Sequence, residues 1–175
     1  MTYMQEVKTF PFPDLQTLPI ELRNEVLDRR SLNVYRMIMH TPAVAPSFLA
    51  ISDALRHRTS VPGTWRELAI LRVGHRYGAA YEIHHHERIA RSVGLPEEAI
   101  AALKVIGSEA KLAADMQIIV QLTDELLDRH GLSAAARDQA LTLLTANQLA
   151  DLVLTVGFYQ MVCNFLNTFG VPVES

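Results

Sequence analysis

The densest run of titratable side chains in this 175-residue sequence is Tyr81-Glu82-Ile83-His84-His85-His86-Glu87. On a helix, Glu82 and His86 are four residues apart and share a face, while Glu82 and His85 are three apart. Imidazole titrates near neutrality, and a neighbouring carboxylate can orient the ring and set its tautomer. The pair is therefore either an acid–base unit or an exposed helix pair worth a few tenths of a kcal/mol. Successive helical residues turn by about 100°, so His84, His85 and His86 cannot all face one metal ion. His40, His57 and His75 have no recognisable metal-ligand spacing, so neither metal nor cofactor is expected.

Glu67 has two explanations. Thr64-Trp65-Arg66-Glu67 matches a capping box, in which the glutamate reaches back to the N-cap amide. Proton handling is the other. Arg72 and Arg76 lie one turn apart and either hold an anionic substrate or form a solvated face. Cys163, the only cysteine, sits among Met161, Val162, Phe165 and Leu166 and reads as a small buried hydrophobe. Without a second thiol it forms no internal disulfide, which fits a reducing, cytoplasmic setting.

Helical periodicity dominates the elements that must position these residues, and no strand pattern is sustained. The expected architecture is all-α: an extended arm over 1–18 followed by one helical domain over 19–172. Helices are expected over about Pro19 to Arg29, Ser31 to His40, Ala43 to His57, Thr64 to Tyr77, and from the Gly78-Ala79-Ala80 joint to Val93. Gly94 suits the end of that last one, and Pro96 the start of a short successor. A further helix spans Glu109 to His130, Ser133 can cap the next, and the last runs from near Asn147 to Gly170.

A hydrophobic content of 49% excludes intrinsic disorder, and a net charge of −3 gives no basic excess for nucleic acid. Leu152 to Val173 is uncharged and long enough to span a bilayer. It nevertheless carries Thr155, Gln160, Asn164, Asn167 and Thr168 and lacks flanking basic anchors. An oligomer centre suits it better than a membrane.

The stretches Arg66-Glu67-Leu68-Ala69-Ile70-Leu71-Arg72-Val73, Tyr81-Glu82-Ile83-His84-His85-His86 and Ala90-Arg91-Ser92-Val93-Gly94-Leu95 resemble the carboxymuconolactone decarboxylase family. That superfamily includes the alkyl-hydroperoxidase D-like proteins. Leu32-Asn33-Val34-Tyr35-Arg36 and Asn167-Thr168-Phe169-Gly170-Val171 look like its longer members, so the resemblance covers roughly residues 18 to 172. It implies a compact helical subunit that forms a homo-oligomer, trimer or hexamer. Glu67 and His86 match the glutamate and histidine of the peroxidase branch, whose two cysteines fall here on Ala79 and Glu82. Both thiols are missing, and reduction of peroxide by a dithiol needs them.

The leading expectation is a cofactor-independent enzyme for proton transfer or decarboxylation of a small carboxylated or lactone-like metabolite. His86 would be the acid–base, Glu82 its orienting partner and Glu67 a second relay, with Tyr81 and Arg72 binding substrate. A peroxidase-like antioxidant protein and a non-enzymatic oligomer that binds a small molecule or metal are the alternatives.

Overall fold

The run Leu68-Ala69-Ile70-Leu71 leaves one turn of its helix with no polar side, and a turn apolar all round must be surrounded. In the computed structural model, which describes residues 8–105, 107 and 111–174, this helix is α4 (Gly63–Tyr77), buried at every residue from Glu67 to Gly74. Helices α5 (Ala80–Ser92), α7 (Ala114–Arg129) and α9 (Ala146–Phe169) pack around it. α3 (Ala45–His57) lies against α9, α6 (Glu97–Ala102) touches α4 and α5, and α8 (Ala134–Ala140) packs on α7. α1 (Ile20–Asp28) and α2 (Asn33–Ile38) precede them. The fold is all-α, with no strand among the described residues.

Residues 1–7 of the expected arm lie outside the described residues. From Lys8 to Asp14 the chain is not helical, and the Phe10 amide donates to the Phe169 carbonyl at 2.9 Å. Glu109, the expected start of α7, also lies outside the described residues; the helix begins at Ala114.

Two glycines bring α4 and α5 together. Gly78 adopts a left-handed φ of 59°, where a β-carbon would cost about 1 kcal/mol, so α4 turns back into α5 through Gly78-Ala79 alone. A β-carbon on Gly74 would stand 3.2 Å from Ile83 Cγ1, so the bare backbone sets how closely the helices approach.

The helix starts divide along their capping chemistry. Ser133 caps α8 as expected, its hydroxyl accepting from the Ala136 amide. Thr145 and Gln148 form a full capping box at the start of α9. The box expected at Thr64 does not form. α4 starts at Gly63 behind Pro62, which places Thr64 inside the first turn with no side-chain cap.

α9 is long and apolar enough to cross a membrane by length and composition. Here Leu152, Val156, Tyr159, Cys163 and Leu166 face the core, while Leu154 (57% exposed) and Met161 (49%) face out. The two capping sites give opposite expectations. Thr145→Ala should lower the unfolding free energy by about 1 kcal/mol in chemical denaturation. Thr64→Ala should change it by less than about 0.5 kcal/mol.

Candidate active site

The α4–α5 turn sets Glu67 against the α5 face that carries Glu82 and His86. His86 Nδ1 lies 2.6 Å from Glu67 Oε2, and Nε2 lies 2.9 Å from Glu82 Oε1. The second contact is off hydrogen-bond geometry, so Glu82 Oε1 has an ionic neighbour only. All three side chains are buried: Glu67 is 1% exposed, Glu82 5% and His86 6%. The Arg66 Nε lies 3.4 Å from Glu67 Oε1, and the Tyr159 ring stands edge-on to His86 with centroids 5.1 Å apart.

Burial works against a charged imidazole. The Glu82 charge and the Glu67 hydrogen bond outweigh it, and His86 is pushed up to about 9. The shift favours the protonated ring at neutral pH, between the two acidic side chains.

A cavity of about 90 Å³ opens beside it. Glu82, His86 and Tyr159 form its inner wall, Phe48, Phe158 and Val162 its apolar sides. Arg56, His85 and Arg88 also line a wider surface depression and so mark the mouth. Glu67 is absent from the wall and stands behind His86.

Tyr81 also lines the cavity. Its hydroxyl donates to Glu174 Oε1 at 2.7 Å and accepts from the Val34 amide at 3.3 Å. Burial first, then Glu174, push the phenol up, so it stays a neutral donor. His85 Nε2 lies 2.8 Å from Glu174 Oε2. Burial pushes His85 below its usual range although Glu174 pulls the other way.

Arg72, expected to bind substrate, does not reach the cavity. It lies five residues after Glu67, about 140° round α4. There Nε and Nη2 donate to Asp124 at 2.8 and 2.7 Å, and Nη1 donates to the Leu103 carbonyl at 3.4 Å. Arg76 Nη1 joins it on Asp124 at 2.9 Å, so these arginines tie α4 to α7. Arg56, Tyr159 and Glu174 belong to the site without having been expected there. Glu174 had no local signal, since 89 residues separate it from His85.

Residues 42–117 match the carboxymuconolactone decarboxylase family. An alkylhydroperoxidase AhpD core structure, an uncharacterized peroxidase-related protein from Ralstonia eutropha JMP134, superposes with a TM-score of 0.83 at 18% identity, covering 95% of this chain and 92% of that one. A peroxidase-related protein from Silicibacter sp. TM1040 gives 0.82 at 16% identity, covering 100% and 96%. Comparison with curated proteins gives no match. The family's pattern thus covers residues 42–117, and the chain as a whole has the fold of the AhpD-like structures. At these identities the structural likeness carries the fold and not the reaction.

The charged His86 has a measurable consequence. Imidazole NMR should show it titrating at about 9, moving down toward 6.5 in Glu82→Gln. A folded value above the unfolded one adds stability that is complete below the unfolded value and lost as pH rises through the folded one. Thermal stability should therefore fall between about pH 6.5 and 9, and fall less in His86→Gln. A wild-type imidazole that titrates at 6.5 would contradict the ion-pair assignment.

Proposed function

We propose that the protein is a cofactor-independent enzyme for proton transfer on a small carboxylated or lactone-like metabolite, with decarboxylation as the favoured reaction. The observation that carries this is an imidazole on a cavity wall, 2.6 Å from one buried acidic side chain and 2.9 Å from another. The geometry supports exchanging the roles expected of the glutamates. Glu67, behind the ring, holds Nδ1 and positions His86. Glu82, on the wall beside Nε2, is the partner able to meet substrate.

In decarboxylation the bond to the substrate carboxylate breaks and its electron pair enters an adjacent carbonyl as an enolate. CO₂ leaves, and the proton on Nε2 passes to carbon. Glu82 returns a proton from water to the ring. Tyr81, neutral and near the mouth, would help seat the substrate.

The structural relatives are described as peroxidase-related, and peroxide reduction is the second reading. A dithiol mechanism needs a nucleophilic thiolate and a resolving thiol. The sole cysteine, Cys163, is 0% exposed, and burial pushes its thiol up. The chemistry of the site thus favours acid–base work.

Screening carboxylated lactones tests the proposal. His86→Gln should lower turnover by roughly 10²-fold or more with the fold retained. Turnover should decline above about pH 9, as His86 loses its proton. Full activity in folded His86→Gln, or rapid Cys163-dependent peroxide consumption, would overturn the proposal.

A cytoplasmic trimer or hexamer is proposed as the working form. Exposed Val153, Leu154 and Met161 on α9 support assembly, because such side chains gain from being covered. Light scattering should give a multiple of three subunits; a 19.6 kDa monomer at micromolar concentration would refute it.

A further inference from the structure

We infer that Tyr81 and His85, extended by Arg88, form a carboxylate-binding site at the cavity mouth, and that the protein's own Glu174 fills it when no ligand is bound. The three residues are spaced four and three apart on α5, so they make one stripe. That stripe runs beside the one carrying Glu82 and His86. The inner stripe handles protons and the outer one presents donors.

Glu174 shows what the outer stripe accepts. Tyr81 Oη donates to Oε1 at 2.7 Å, and His85 Nε2 stands 2.8 Å from Oε2. Each carboxylate oxygen thus has its own side-chain partner, and the Asn33 amide adds a contact to Oε1 at 2.5 Å. The segment after α9 delivers the group: Val171 is buried, and Asn33 Nδ2 donates to the Pro172 carbonyl at 3.0 Å. Arg88 is exposed, lines the same cavity, and makes no ion pair among the described residues. It is a cation placed where a second acidic group, or the same one shifted, would meet it.

Both Tyr81 and His85 also line the cavity whose inner wall is His86. A ligand carboxylate seated on them would leave the rest of a small molecule in the cavity, toward Nε2. Glu174 is then a tethered competitor. A tethered group acts at an effective concentration of about millimolar or more, so weak acidic ligands bind only by displacing it. This rests on reading the cavity as the substrate site, and its test therefore measures binding without turnover.

The probe is acetate, with acetamide as its uncharged counterpart, followed by ligand-observed NMR. Glu174→Ala should tighten acetate binding about tenfold or more. Adding Tyr81→Phe and His85→Gln in that background should abolish the gain, and Arg88→Gln should reduce it several-fold. Glu174→Gln keeps the segment's shape and should show part of the gain, which covers the case in which Glu174→Ala fails to fold. Acetamide should bind none of them measurably. Unchanged acetate affinity in folded Glu174 variants, or equal binding of acetamide, would overturn the inference. An intact acetate response with no turnover on any carboxylated lactone would instead count against the proposed reaction and leave this site standing.

Discussion

An imidazole wedged between two buried acidic side chains is the constraint around which the rest of the fold is arranged. An ion removed from water costs several kcal/mol unless it is paired, and Glu67, Glu82 and His86 have almost no solvent. Each side chain gives the others a polar partner there, and the two acids favour the protonated ring. Arg66, beside Glu67, and the more distant Arg56 bring further positive charge to the acidic pair. Meeting these distances requires α4 and α5 to touch closely. The missing side chain at Gly74 and the left-handed Gly78 allow that approach.

The same constraint explains what the sequence could and could not convey. Helix stops at Gly78, Gly94 and Gly170, and the cap at Ser133, were legible because each depends on a few neighbouring residues. Glu82 and His86 were legible as a pair through helical spacing. Glu67 was ambiguous, because Thr64-x-x-Glu67 has the pattern of a capping box. Pro62 at the N-cap moved the helix start ahead of Thr64, and His86 took the carboxylate. Arg72 misled for the opposite reason. Its partner Asp124 lies 52 residues away, so a buried fork between helices looked like a free cation. Glu174 is the extreme case, since only tertiary folding brings it to α5.

The α5 helix therefore separates two tasks by its own periodicity. Residues at 82 and 86 meet each other and His86 meets Glu67 of α4 at the buried end of the cavity. Tyr81 and His85 meet Glu174, while His85 and Arg88 line the cavity mouth. A rotation of one residue along the helix divides the buried imidazole–acid set from the side chains that hold Glu174.

Glu67, Glu82 and His86 all lie within one helical hairpin closed by Gly78 and Ala79. The facing walls of the cavity come from far along the chain: Val34 and Tyr35 from α2, Phe48 and Ser52 from α3, Phe158 and Val162 from α9. Substitutions in those distant segments can change the outline of the hollow while the hairpin keeps its internal distances. Under the proposed function, reactivity and selectivity are thus inherited on different stretches of the polypeptide. A lineage can diverge toward new molecules by drifting in the walls, with the imidazole and its two acids carried along intact.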